Sequence, residues 1–477
     1  MPRSRHVPSP VAADTPLLAA LLDLLDALPT GQRRVAVRLQ WLALGWVLAL
    51  GRHTVTRALA ALGRTEADWT AWCRLFSQRR FREEDAAAAT LAATLAHAPA
   101  DQPYVAVVDG TLLRRSSRRM PGASWWPAPG APHFARGLAA AQRFVGLHWL
   151  APRTADGHGR AVPLRLLPAF PASAAPSGEP PRREWEAARD AVAWLREALD
   201  AAGRAAQPLV VVGDGAYDTA HLLRALPART VLVVRTARNR ALFALPDPDP
   251  PRRRGGRRKY GERLPAPREW THAAGGWTAL RLRIRGRERR LQARLEGPLL
   301  VQSAPDRPCF LVVVRGVGHG TPKRRRAPWF GLVTAVPDGA GGWAPPADLA
   351  TLLGWAWQRW EVEIVHRELK TTLGLGESPA WSAAGTVALA QWVAWLDAAL
   401  LLAGLRVWGS GPAPTARTAC WWRGGARWTL AQVLQGVRAE VAGIDGYRPV
   451  ATASPPKPGG LPPHQVLANA LLAAART

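Results

Sequence analysis

The chain has 477 residues, 48% of them hydrophobic, and carries 63 Lys and Arg against 35 Asp and Glu, a formal net charge of +28. The length exceeds what one small core supports, so about two to four domains are expected, and the hydrophobic content excludes a disordered chain. The excess charge is nearly all arginine, with lysine only at Lys259, Lys323, Lys370 and Lys457; arginine forks suit phosphate, so a polyanion, nucleic acid foremost, is the expected partner, although a GC-rich codon bias supplies part of this excess.

Cys73, Cys309 and Cys420 are far apart and form no C-x-x-C pair, which argues against a zinc ribbon or a disulfide scaffold and fits a reducing cytoplasm. The N-terminal "MPRSRHVPSPVAADTP" has no apolar signal core, and "WLALGWVLAL", taken as the longest apolar stretch, is too short to span a bilayer. A cytoplasmic protein with no membrane association is expected.

Residues 15–98 read as helices by period and Ala/Leu content, and "GRHTVTRALAALGR" (51–64) offers threonine N-caps before a short apolar helix. A helix, a glycine turn and a second helix suit DNA reading, but any helical bundle has the same pattern. "YVAVVD" (104–109) is a continuous apolar run ending in an acid, as in a strand buried on both faces. "RFVGLHWLAP" and "GRAVPLRLLP" follow as antiparallel strands around "RTADGHG", and "REWEAARDAVAWLREALDAAG" (183–203) is a helix stopped by glycine. "PLVVVGD" (208–214) is a second buried strand ending in an acid, and "TVLVVR" (230–235) a third.

Residues 237–344 break this rhythm with the basic "PDPDPPRRRGGRRKYGERLP" and short alternating strands, a β-rich insertion. The cluster Arg252, Arg253, Arg254, Arg257 and Arg258 must be exposed and either grips DNA backbone or is a solvated turn. A helix over about 346–373 contains "QRWEVEIVHRELK" (358–370), and an apolar helix and a C-terminal tail with helical segments follow. At about 100° per residue, Arg359, Glu363, His366 and Lys370 fall within one narrow stripe, beside a core face of Val362, Val365, Leu369 and Leu373. Alone, the stripe also reads as a solvated i,i+4 ion pair. Glu363 and His366 have the Glu-x-x-His spacing of di-iron bundles, but those need a second copy, and the chain has none.

Parallel strands side by side, each ending in aspartate, would bring Asp109 and Asp214 to one sheet edge, where open α/β sheets build their sites. A helix crossing that edge could add Glu363. Three convergent carboxylates repel and need cations, and hard oxygen ligands select Mg²⁺ or Mn²⁺. Two such ions suit phosphodiester chemistry, with Arg359 and Lys370 holding phosphates.

With these residues in place, the chain resembles bacterial insertion-sequence transposases of the DDE class, in the branch whose last acid lies in a Tyr-x2-Arg-x3-Glu-x6-Lys helix signature. Arg359, Glu363 and Lys370 match that spacing, Trp360 follows the arginine, His366 follows the glutamate as in some relatives, and "VVDGT" and "VVVGDGAYD" resemble the two aspartate segments. The signature's tyrosine falls at Ala356, between Trp355 and Trp357. The likeness spans roughly residues 30–405.

The resemblance implies an α/β fold: an RNase H-like catalytic core (101–236 and 345–405) interrupted by the β-rich insertion (237–344), preceded by an all-helical N-terminal DNA-binding domain (1–100) and followed by a helical tail (406–477). It implies Asp109, Asp214 and Glu363 as catalytic metal ligands for two Mg²⁺ or Mn²⁺ ions. Arg359, Lys370, Trp360, His366 and the arginine cluster are the expected DNA contacts. The expected partner is double-stranded DNA, as transposon ends and target, bound by a homodimer in association with the nucleoid. Two alternatives stand beside this reading. "VVDGTL" and "GDGAYD" also resemble haloacid-dehalogenase-type phosphatases, whose nucleophilic aspartate would fall at Val107. A decayed or domesticated transposase would bind DNA without cutting it.

Overall fold

A computed structural model describes residues 15–66, 68–127, 137–247, 258–316, 328–413 and 427–443. The chain begins with helices α1 (Pro16–Asp26), α2 (Arg33–Leu48), α3 (Val55–Ala61), α4 (Trp69–Ser77) and α5 (Glu83–Leu95). Local chemistry sets their starts. Pro16 opens α1, Thr54 caps α3 by accepting from the Arg57 amide at 3.2 Å, and Asp68 caps α4 by accepting from the Thr70 amide at 3.0 Å. Glu83, Glu84 and Asp85 place negative charge at the positive end of α5.

Strand β1 (Tyr104–Arg114) follows, then β2 (Ser124–Pro127), β3 (Leu138–Ala151), β4 (Arg160–Pro168), α6 (Glu184–Ala201), β5 (Leu209–Gly213), α7 (Ala220–Arg224) and β6 (Thr230–Arg235). β1 lies antiparallel to β3 and parallel to β5, and β5 lies parallel to β6. β4 pairs with β3 over Phe144–Ala151, and β2 pairs with the other end of β3, over Leu138–Ala141. Val210, Val211 and Val212 of β5 are covered on both faces, which explains an unbroken apolar run where a surface strand would alternate.

Strands β7 (Leu242–Phe243), β8 (Arg263–Leu264), β9 (Thr278–Ile284), β10 (Arg287–Val301), β11 (Ala304–Gly316) and β12 (Trp329–Thr334) come next. They continue the same sheet, because β12 pairs antiparallel with β6 through Gly331 and Arg235, Leu332 and Val234. The result is one mixed sheet running β2-β3-β1-β5-β6-β12-β11-β10-β7-β8, with β4 and β9 as side branches.

The last described elements are α8 (Leu349–Gln358), α9 (Trp360–Thr371), α10 (Ala383–Trp408) and α11 (Leu430–Ala442). Two expectations change here. The helix expected over 346–373 is divided at Arg359, where the Val362 amide bonds to the Arg359 carbonyl at 3.1 Å and tightens the turn. The longest apolar run is α10, 26 residues and apolar enough by length and composition to cross a bilayer, rather than "WLALGWVLAL". Its apolar surface goes all round because protein surrounds it: α1, α4 and α5 pack on it from one side and β4 from another. Gln391 holds it to β4, accepting from the Leu166 amide at 2.8 Å and donating to the Leu164 carbonyl at 3.1 Å. α11 then ties the ends of the N-terminal helices. The Glu440 carboxylate accepts from the amides of Leu17 and Leu18, and the Arg438 guanidinium donates to the Val47 carbonyl at the end of α2.

Candidate active site

The β1–β5 register pairs Val107 with Val212, so Asp109 and Asp214 emerge from neighbouring parallel strands at the same edge. Asp109 Oδ1 accepts from the Gly110 amide at 3.0 Å. Asp214 caps the single 3-10 turn Gly215–Tyr217 by accepting from the Ala216 amide at 2.8 Å. α9 crosses this edge. Its core face, Val362, Val365 and Leu369, is buried, and the adjoining stripe faces the carboxylates.

Arg359 bridges the stripe and the sheet, with its guanidinium 3.7 Å from Asp109 Oδ2 and 3.3 Å from Glu363 Oε1. The i,i+4 pair therefore exists, but it is one part of a larger group. Burial pushes the Asp109 carboxyl up to about 7; Arg359 opposes that rise, while Asp214 and Glu363 add to it. Lys370 is lowered by burial and raised by Asp109 and Glu363, so its ammonium also lies in their field.

His366 departs from expectation. Its side chain is buried, with Nδ1 3.9 Å from Asp109 Oδ2 and its ring edge-on to His148 at 5.4 Å, so it backs Asp109 and has no face to offer DNA. Burial lowers it to about 3, with Lys370 and Arg359 adding to the shift, and the imidazole is neutral. Asp218, four residues past Asp214, does not cap α7: Thr219 is the cap, accepting from the Leu222 amide. Asp218 is instead anchored by the Thr236 hydroxyl at 2.6 Å and Arg240 at 3.2 Å. Trp360 is 53% exposed at the rim. Of the arginine cluster, Arg252, Arg253, Arg254 and Arg257 lie outside the described residues, and Arg258 is exposed.

Sequence reasoning missed a second group beside Asp109. Tyr217 donates its hydroxyl to Glu184 Oε1 at 3.2 Å, and the other Glu184 oxygen meets Arg143 on β3. A Cβ added at Gly110 would lie 2.3 Å from Glu184 Oε1, so this position admits only glycine without displacing the carboxylate. Glu184 reads in sequence as the second residue of the helix over 183–203, and nothing local marks its pairing across the sheet.

Asp214 and Arg359 open into a cleft of about 1160 Å³ between the sheet edge and the strands that extend it. Arg235, Arg238, Arg240 and Arg268 line it, and Trp329 and Trp357 stack there with centroids 6.5 Å apart. Ala356, at the signature's tyrosine position, is also in its wall. Val107 is wholly buried in β1, which removes the phosphatase alternative: no nucleophile stands there.

Acids gathered at a sheet edge beside an arginine-lined cleft are an arrangement suited to phosphodiester chemistry on a polyanion. The family model described as DDE superfamily endonuclease matches residues 23–296, more than half of the chain, and the protein belongs to that family. The match includes Asp109 and Asp214 and ends before Glu363. Comparison with curated proteins gives no match. Membership makes the chain a DDE-type nuclease, dependent on divalent metal and with DNA as its substrate.

The donor set fits such an ion: carboxylate oxygens are hard ligands, and the raised Asp109 carboxyl marks a place where added positive charge is stabilising. Among the described residues no three metal-ligating side chains are grouped closely enough to hold one ion. Arg359 lies between Asp109 and Glu363 and supplies positive charge there.

Proposed function

We propose that this nuclease is a DNA transposase, cutting phosphodiesters at the ends of a mobile element and joining the resulting 3′-hydroxyls to target DNA. The observation that carries the reading is the convergence of Asp109 and Asp214, from adjacent parallel strands, on the Arg359, Glu363 and Lys370 stripe of α9. The order β4-β3-β1-β5-β6, antiparallel then parallel, supports an RNase H-like core in which residues 237–344 act as the insertion.

Asp109, Asp214 and Glu363 would hold two Mg²⁺ or Mn²⁺ ions, which supply the charge that activates an attacking oxygen and stabilises the leaving one. Arg359 and Lys370 position the scissile phosphate, neutral His366 packs behind the Asp109 carboxylate, and Trp360 and the cleft arginines hold the strand. In cutting, a water oxygen bonds to phosphorus and the 3′-oxygen leaves as a hydroxyl. In joining, that hydroxyl bonds to a target phosphorus and the target's own 3′-oxygen leaves. No protein nucleophile is needed. Residues 1–100 serve as the end-binding region, with Arg34, Val37, Arg38 and Trp41 presented on one exposed face of α2. A homodimer pairs two ends, acting in the cytoplasm on the nucleoid.

A second reading, binding without cutting, draws on Ala356 at the signature's tyrosine position. The test uses DNA flanking the gene: its terminal inverted repeats, incubated with full-length protein, Mg²⁺ and a target plasmid, should yield joined products. Cleaved ends that never join would reduce the protein to a nuclease, and bound but uncut ends would favour the second reading.

A further inference from the structure

A second cleft, of about 790 Å³, lies beside β2 at the open edge of the sheet, lined by Ser117, Arg118, Arg119, Trp125, Trp126 and Ser173. Trp125 is 52% exposed, and Arg118 lies over its ring at 5.5 Å. The walls are braced, since the Gly122 amide donates to the Ala174 carbonyl at 3.0 Å and ties the loop after β1 to the segment after β4. Gly122 has φ +77, and a Cβ there would lie 2.6 Å from the Phe170 ring.

We propose that this cleft binds an unpaired nucleotide of the DNA, its base stacked on Trp125 and its phosphates held by Arg118 and Arg119. Every base has a π-face that an indole can stack on, and a neighbouring guanidinium adds cation–π attraction and phosphate contact. Trp126, the next residue of β2, points to the opposite face of the sheet, where Arg143 lies over its ring at 4.0 Å and its buried indole N–H meets no acceptor among the described residues. Arg143 continues to Glu184 and Tyr217, so contacts run unbroken from the cleft to the neighbourhood of Asp109. In register, Trp125 pairs with Ala140 and Asp109 with Gly146. That separation along β3 is about 20 Å, or roughly six nucleotides of a duplex strand.

This inference rests on DNA being the substrate, and the experiment separates the two. Full-length protein is titrated with a short oligo(dT) and with a blunt duplex of equal length at the same salt, alongside Trp125→Ala and Trp125→Tyr. Trp125→Ala should weaken oligo(dT) binding about 5- to 150-fold and Trp125→Tyr should restore most of it, while duplex affinity stays within about twofold. Unchanged oligo(dT) binding by Trp125→Ala, equal losses on both DNAs, or parental protein that binds duplex but not oligo(dT) would each overturn the inference alone. Parental protein that binds neither DNA would overturn the proposed function with it. Thermal melts confirm that the variants fold, as expected for a half-exposed side chain.

Discussion

At Asp109, burial and two neighbouring carboxylates hold a proton that an ordinary aspartate would have lost. In metal-free protein its value is about 7, against 3.8 for the unfolded chain, so between these the folded state binds a proton that the unfolded state releases. Its contribution to stability is therefore full below about pH 4 and falls as pH rises through about 7. Metal-free Asp109→Asn should escape this loss, so its stability relative to the parent should climb across that window, by up to about 4 kcal/mol. Mg²⁺ should raise the parent's Tm at pH 7 and leave that of Asp109→Asn unmoved. A difference between the two proteins that stays constant with pH, or an equal response to Mg²⁺, would mean that Asp109 neither carries the strained proton nor binds the ion. Asp109 and Asp214 were visible in sequence because each closes a continuous apolar run, a pattern that follows from backbone burial. Glu184 was not, because its partners Arg143 and Tyr217 come from other elements and leave no local periodicity.

At the scale of elements, helices and strands followed from period and caps, while their partners did not. The α9 stripe was readable because four charged or polar residues repeat at helical spacing beside a buried face. The tightened turn at Arg359 was not readable, because no proline or glycine marks it. Similarly, the strands after β6 read as a separate β-rich region, yet they add to the free edge of β6, a choice made by edge pairing between distant segments. α11 is the clearest case of a role invisible in sequence. Its Glu440 carboxylate satisfies two otherwise orphaned amides at the start of α1, more than 400 residues away, at 3.1 and 2.7 Å. Glu440→Ala should cost about 0.5–2 kcal/mol, as loss of an N-cap does, read as a lowered midpoint in urea. An unchanged midpoint would mean that water replaces the carboxylate at no cost.

Across the whole molecule, the +28 charge is distributed in a way that composition alone could not reveal. Arginines line the cleft beside Asp214, flank Trp125 at the far edge of the sheet, and lie along α2 with Trp41. The N-terminal helices share a core with α10, so the surface of α2 is held rigidly relative to the sheet edge. DNA gripped by the arginine surfaces has its backbone brought toward the acids, where Arg359 and Lys370 can meet a phosphate. The central claim is that Asp109, Asp214 and Glu363 act as one metal-dependent centre. The measurement that tests it most directly is Mg²⁺-dependent cleavage of end-bearing DNA by the parent and by Asp109→Ala, Asp214→Ala and Glu363→Ala, with end binding measured in parallel. Each substitution should abolish cleavage while keeping binding within about tenfold, because these residues hold the metal and not the DNA. A folded variant of any of the three that cuts at the parental rate would contradict the claim.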